Sequence, residues 1–217
     1  MCALVHYQDL RWFGARGRGG VAERDTPRRL AIVAAARDLL EREGAEALTM
    51  RRLGQALGIR APSLYKHFPN KQAVEVALIE AGFRESAEAF EAALGAGQES
   101  LAALAAAYRG FALAHPHLYR LMTERPLPRD QMTPGVEQRT AAPLLRLAGD
   151  VPRARAVWGF AHGLVMLEIN GRFPPMADVD AAWRAGVDAF TASRPAVNPE
   201  SAPSLPSDTD SHTGDPS

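Results

Sequence analysis

TMRRLGQALGIRAPSLYKHFPNK, residues 49–71, reads as two short helices joined by a tight turn and followed by the start of a third. Met50, Leu53 and Leu57 recur at helical spacing behind Thr49, a side chain suited to capping a helix start. Gly58 supplies a left-handed residue at which the chain reverses direction. The second helix carries Leu64 and Phe68 four residues apart on its inner side. With Leu64 inward, Tyr65 and Lys66 lie roughly 100° and 200° round the helix, and so face elsewhere. Pro69-Asn70 stops this helix, and Asn70 is placed to cap the next. The pattern is that of a helix-turn-helix.

The rest of the chain supports a core around this unit. Of 217 residues 47% are hydrophobic, enough for one large domain or two small ones sharing a core. No uninterrupted apolar run reaches the length of a membrane span, and the N-terminus lacks the layout of a secretory signal. Cys2 is the single cysteine, so neither an internal disulfide nor a cysteine-based metal cluster is expected. A cytoplasmic protein is expected. The net charge of zero hides an asymmetry: residues 1–72 hold 13 Lys/Arg against 7 Asp/Glu, and the remainder 12 against 18. A basic first third on an acidic remainder points to a polyanion partner for the first part only.

Working outward, residues 1–25 show no sustained periodicity and include the basic, glycine-rich run Arg16-Gly-Arg-Gly-Gly. This segment is either an arm laid along a DNA groove or a leader without structure. Thr26-Pro27 opens a helix over 26–43, with Ile32, Ala36, Leu39 and Leu40 as its stripe and Gly44 at its end. Arg28 and Arg29 sit at its start against the helix dipole, an arrangement suited to a phosphate partner or to two solvated arginines. A long helix over 70–94 leaves the small unit and enters the remainder. Amphipathic helices follow at 101–115 and 117–122, and another spans 134–147. Residues 154–172 are apolar on nearly every side, so that helix is expected to be buried all round or partly covered by another subunit. A last stripe runs through Val179, Trp183, Val187 and Phe190, and the Pro/Ser/Asp/Thr-rich tail 193–217 is expected to be disordered. No segment alternates as a strand. The fold class is all-α: a flexible basic arm (1–25), a three-helix helix-turn-helix domain (26–72), a helical-bundle regulatory and dimerisation domain (73–192) and a disordered tail, with about nine helices in all.

A helix-turn-helix binds DNA because one helix fits the major groove while its neighbour braces the backbone. By position, Thr49 and the free amides behind it are suited to a phosphate. Arg60, Ala61, Ser63, Tyr65 and Lys66 are the outward candidates on the second helix, with His67 and Lys71 flanking the same surface and Arg28 behind them. Residues from about Arg28 to Val76 resemble the DNA-binding domain of the TetR family of bacterial transcriptional regulators. The match lies in IVAAARDLLEREGAEALTMRRLGQALG and in IRAPSLYKHFPNK with its Leu-Tyr-x-His-Phe-x-x-Lys core. The resemblance implies phosphate contacts from Thr49, Tyr65, His67 and Lys71, and positions near base edges for Arg60, Ala61, Ser63 and Lys66. Pro62 replaces the commoner polar residue of the family, which is tolerable early in a helix but removes a base contact.

HPHLYRLM (115–122) and WGFAHGLVMLEINGRF (158–173) resemble the regulatory domain of a TetR subgroup named for its Trp-His-Gly residues, here Trp158, His162 and Gly163. Candidates for an effector site are Tyr108, His117, Leu118, Met122, Trp158, His162 and Met166. By resemblance, two subunits pair through helices 153–172 and 178–192, with Gly159, Gly163, Trp183, Gly186 and Phe190 at the dimer interface. His162 either orients an effector or satisfies a neighbouring carbonyl. Glu168 lies about 240° from His162 round their helix, so the two do not face one another. Asn170 is an unexpectedly polar residue in the pattern. His115, His117 and His162 lack metal-ligand spacing, and no metal or cofactor is expected.

The expected function is a repressor that binds a palindromic operator in double-stranded DNA as a homodimer and is released by a small apolar effector, with no membrane partner. No nucleophile–base pair, metal triad or phosphate loop points to an enzyme. The competing class is a helical small-molecule binder or enzyme with a vestigial DNA-binding domain, and an activator is a third reading.

Overall fold

The computed structural model describes residues 26–95 and 99–193; the expected basic arm and all but the first residue of the expected tail lie outside them. Nine helices make up the described residues: α1 (Pro27–Glu43), α2 (Met50–Ala56), α3 (Ala61–Tyr65), α4 (Lys71–Gly95), α5 (Leu101–Ala114), α6 (Pro116–Thr123), α7 (Val136–Ala148), α8 (Val151–Ile169) and α9 (Val179–Ala192). No strand occurs among them, and the architecture is all-α.

Local chemistry sets the boundaries of the first helices. Thr26 caps α1, Thr49 caps α2 by accepting from the Arg52 N–H at 3.2 Å, and Asn70 Oδ1 accepts from the Ala73 N–H at 2.9 Å as α4 begins. Gly44 and Gly58 have φ of 79° and 64°, so both turns need the left-handed region that glycine enters without cost. Ile32, Ala36 and Leu40 of α1 meet Leu48, Leu53, Leu64 and Phe68 in a closed core. Phe68 is fully buried as expected, but it lies beyond α3, in the turn closed by its N–H donating to the Leu64 carbonyl.

That core does not stop at residue 72. It continues through Val74, Leu78 and Phe83 on α4 to Leu118, Leu121 and Met122 on α6. With 25 residues, α4 is about 37 Å long and reaches from the helix-turn-helix head far into the bundle. It packs there against α5, α6, α7 and α1. Gly82 of α4 is a point of close approach: a Cβ there would stand 2.5 Å from Met122 Sδ and 2.9 Å from Leu118 Cδ2.

One expectation for α8 is corrected and another narrowed. The helix ends at Ile169, not at 172: Asn170 is its C-cap, Gly171 turns left-handed at φ 60°, and the Arg120 guanidinium donates to Asn170 Oδ1. Of the two readings of its apolar pattern, burial all round does not hold within the chain, which leaves cover by another subunit. Ala154, Val157, Ala161 and Val165 form one buried stripe at helical spacing, while Gly159, Gly163 and Leu167 are exposed. Apolar content alone cannot say which sides of a helix its own chain covers.

Candidate nucleic-acid interface and effector cavity

Burying Leu64 and Phe68 turns the opposite side of α3 outward. Arg60, Ser63, Tyr65 and Lys66 are exposed, Ala61 opens the helix, and Tyr65 keeps 51% of its surface accessible. Arg28 and Thr49 are exposed as well, Thr49 with its hydroxyl already engaged as the α2 cap. Arg28, Arg51, Arg60 and Lys66 have no ion-pair partner among the described residues. Unpaired cations and a bare phenol on a short helix are the equipment for phosphate oxygens and base edges. Arg51, in the first turn of α2, was not singled out from the sequence; exposure and the absence of an acid partner single it out here.

Other head residues serve the fold. Lys71, expected to point at the same surface, is half-buried: its Nζ donates to the Ala45 carbonyl at 3.0 Å and lies 3.4 Å from Glu75 Oε1. It thereby ties the start of α4 to the α1–α2 connection. Arg29 is not solvated. Its guanidinium stacks 4.0 Å from the centre of the Phe68 ring and donates to the His67 carbonyl, clamping α1 to the end of the α3 turn. His67 is half-buried beside this clamp.

A partly open cavity of about 110 Å³ lies between α4, α5, α6, α7, α8 and α9. Phe83 and Phe90 on α4, Leu104 and Tyr108 on α5, Tyr119 and Met122 on α6, Leu144 on α7, Val157 and Trp158 on α8, and Phe190 on α9 are among its walls. Of the expected effector residues, Tyr108, Met122 and Trp158 line it. His162 stands one shell back, its Nδ1 2.7 Å from the Tyr119 hydroxyl and its ring stacked on Trp158 at 5.4 Å between centroids. It therefore satisfies a phenol and not a carbonyl. Burial pushes the His162 imidazole below its ordinary pKa, an effect that the Glu124 carboxylate partly opposes. Tyr119 in turn lies 2.5 Å, oxygen to oxygen, from Tyr108, which completes a chain of three polar groups.

His117, Leu118 and Met166 do not line the cavity. Tyr119, Met122 and Thr123 of α6 line it, whereas Leu118 packs beside Met122 against Gly82 of α4 and His117 lies on the far side of the helix, over Gly44. At the start of α6, His115 makes no side-chain cap bond; the carboxylate of Glu41 on α1 accepts instead from the N–H groups of His117 and Leu118, at 3.2 and 3.1 Å. The ring of His117 lies over Gly44, and His115 Nε2 is 3.0 Å from Glu85 Oε1. The three histidines thus occupy three different environments.

Among the expected dimer residues, Gly159 and Gly163 are exposed, with open space where a Cβ would point. Gly186 and Trp183 make close contacts inside the chain. A Cβ on Gly186 would fall 2.0 Å from the Phe160 ring, and Trp183 is buried with its Nε1 donating to Glu168 Oε1 at 2.6 Å. Phe190 packs on Phe160 at 5.7 Å between centroids. Glu168 belongs to a network that sequence reasoning missed. Arg109 donates to both its oxygens, at 2.7 to 3.1 Å, and reaches Asp180 at 2.5 Å. These two carboxylates raise the Arg109 pKa, and Arg109 holds that of Asp180 down. An acid on an otherwise apolar helix was the available signal, since a buried carboxylate requires a cation or donors.

A helix-turn-helix head with an unpaired cationic face, joined by one long helix to a bundle around an apolar cavity, defines a DNA-binding regulator with a ligand-sized chamber. Comparison with known proteins places it further. Residues 32–78 match the model of bacterial regulatory proteins of the tetR family, and residues 101–190 that of the tetracyclin repressor-like C-terminal domain. An uncharacterized HTH-type transcriptional regulator of Mycobacterium tuberculosis is 30% identical over 188 residues, 77% of this chain and 83% of that protein. The class A tetracycline repressor of Escherichia coli is 46% identical over 55 residues, which is 25% of this chain and 26% of that one. Among solved structures, a Rhodococcus protein of unknown function is 27% identical with a TM-score of 0.62, over 82% of this chain and 97% of that chain. A TetR variant of Acinetobacter baumannii solved in complex with minocycline is 26% identical with a TM-score of 0.54, over 76% of this chain and 94% of that chain. The chain belongs to the TetR family of transcriptional regulators, with a DNA-binding N-terminal domain and a helical C-terminal domain. No helix among the described residues is long and apolar enough to cross a membrane.

Proposed function

We propose that the protein is a repressor that binds a palindromic operator as a homodimer and releases it when a small apolar effector enters the bundle cavity. The observation that carries this reading is the double attachment of α6. Tyr119 and Met122 of α6 form part of the cavity wall, while its first N–H groups are held by Glu41 of the DNA-binding head. A ligand that displaces Tyr119 or Met122 therefore acts on an element bonded directly to α1. Only the difference in ligand affinity between the DNA-competent and incompetent arrangements lowers operator affinity, and couplings of this kind are typically about 5–150-fold. The exposed face of α8, with Gly159, Gly163 and the 41%-exposed Leu167, is the proposed dimer seam. Pairing there presents two α3 helices to successive major grooves, about one helical turn apart.

In this reading Tyr65, His67 and Thr49 hold the DNA backbone, and Arg60, Ala61, Ser63 and Lys66 approach the bases. Arg28 adds a phosphate contact, and Lys71 shapes the surface through Ala45. The test is fluorescence anisotropy with DNA from upstream of the gene, comparing the native chain with Tyr65→Ala plus Lys66→Ala. Both side chains are exposed, so the fold is expected to survive. The double variant is expected to lose at least tenfold in affinity and to show a shallower salt dependence, because fewer counterions are released. Equal binding by a folded double variant would refute these assignments.

A further inference from the structure

The helix that faces outward from the head is too short to hold its own direction. α3 has five residues, its N-cap Arg60 makes no side-chain cap bond, and a single helical turn is not stable by itself in water. Its placement therefore comes from its neighbours. On the inner side Leu64 and Phe68 are fully buried in the core of the head. The turn after α3 is closed by the N–H groups of His67 and Phe68, which both donate to the Leu64 carbonyl at 2.9 Å. Apolar burial sets how deep this segment sits, but it is non-directional. A directional contact comes from α1.

The Arg29 guanidinium lies 4.0 Å from the centre of the Phe68 ring and donates through Nη1 to the His67 carbonyl. Both contacts fall on the two residues that follow Tyr65 and Lys66, the exposed pair at the end of α3. A planar guanidinium stacks with its face while it donates in its plane, a combination that a compact ammonium does not reproduce. The two neighbouring arginines at the start of α1 therefore differ in what they offer DNA. Arg28 is exposed, whereas Arg29 is half-buried and its guanidinium rests on the turn after α3, 38 residues along the chain. Any shift of that turn carries Tyr65 and Lys66 with it.

We infer that Arg29 is a positioning residue for DNA recognition: through the Phe68 ring and the His67 carbonyl it orients the end of α3, and so sets the preference for one sequence without touching a phosphate. The inference rests on the reading above in which α3 approaches the bases. Phosphate contacts weaken or strengthen all sequences alike and carry the salt dependence, whereas alignment at base edges carries discrimination. Full-chain protein is titrated by fluorescence anisotropy, over a series of salt concentrations, with DNA from upstream of the gene and with a scrambled duplex of the same length and composition. In Arg29→Met the preference for the upstream DNA is expected to fall about 5–150-fold, the worth of one well-made base contact. Affinity for the scrambled duplex and the slope of log affinity on log salt are expected to stay near native. Arg28→Met is expected to do the opposite: both duplexes weaken alike, the preference is kept and the slope becomes shallower by about 1. Arg29→Lys keeps the charge without the planar fork, and its preference is expected to lie between those of Arg29→Met and the native chain. Parallel weakening on both duplexes with a shallower slope in Arg29→Met would make Arg29 a phosphate contact and overturn the inference. Melting curves certify that each variant is folded at the assay temperature; Arg29→Lys carries the test if Arg29→Met does not fold, and unfolding of both overturns the inference in favour of a role in stability alone. A native chain that binds the two duplexes equally overturns the reading of α3 and the inference with it, whereas a native preference that survives in both Arg29 variants overturns the inference alone.

Discussion

Replacing Glu41 by alanine removes one carboxylate that serves two helices at once. It accepts from the N–H groups of His117 and Leu118 at 3.2 and 3.1 Å, and it lies 3.4 Å from Arg37 Nε. The carboxylate side chain is only 22% exposed, so water replaces it poorly. Loss of a helix N-cap costs about 0.5–2 kcal/mol, and a hydrogen bond to a charged group about 1.5–3 kcal/mol. Because both bonds come from one carboxylate, their values overlap, and a total of roughly 2–3 kcal/mol is expected. Glu41→Gln keeps one acceptor oxygen but loses the charge, so about half that loss is expected. Urea denaturation gives the stability, and anisotropy on operator DNA with and without effector gives the coupling. Both variants are expected to bind effector normally but to transmit it less, since α6 is no longer held by α1. An unaltered urea midpoint together with undiminished coupling in Glu41→Ala would refute the assignment of this joint.

Three further outcomes follow from the packing. Gly186→Ala sets a methyl 2.0–2.8 Å from Phe160 ring atoms, forcing that ring toward the cavity it lines; a stability loss of about 1–3 kcal/mol and weaker effector binding are expected by denaturation and titration. Phe68→Ala removes a fully buried ring and the surface under Arg29, with an expected cost of about 3–5 kcal/mol and loss of DNA binding on anisotropy. For His162, burial lowers the folded pKa below the ordinary 6.5, so the unfolded chain holds more protons between the two values. Its contribution to stability is therefore complete above about pH 6.5 and is lost as pH falls toward the folded pKa. Urea midpoints between pH 7.5 and 5 are expected to fall less steeply in His162→Gln than in the native chain, and parallel slopes would remove His162 as the cause.

The helix-turn-helix was legible in the sequence because its determinants are local. A capping hydroxyl at Thr49, a positive φ at Gly58 and an apolar pair at Leu64 and Phe68 act within a few residues of themselves, and each plays the part the sequence predicts, although Phe68 does so from the turn beyond α3. The same holds for Asn70 and for the outward turn of Arg60, Tyr65 and Lys66, since periodicity alone decides which side of a short helix faces the core. The family resemblance was carried by those residues for the same reason. Half-legible was the cavity: Tyr108, Met122 and Trp158 follow from apolar stripes, but a stripe does not say which of its members border empty space.

What only the tertiary structure decided depends on partners distant in the chain. Lys71 reaches back 26 residues to Ala45, Arg109 meets Glu168 across 59, and Glu41 receives the amides of His117 and Leu118 across 76 and 77. A charged side chain in a sequence is compatible with DNA, solvent or a buried polar partner alike; the fold brings one of these within hydrogen-bonding distance and the others lose. Gly186 is the converse case. As a small residue on a helix it suits a subunit interface as well as a close intrachain contact, and only the fold shows the Phe160 ring in the space of its missing Cβ. Local backbone chemistry is written residue by residue, whereas contact partners are set by how whole helices pack, and that packing is what joins the head of this protein to its cavity.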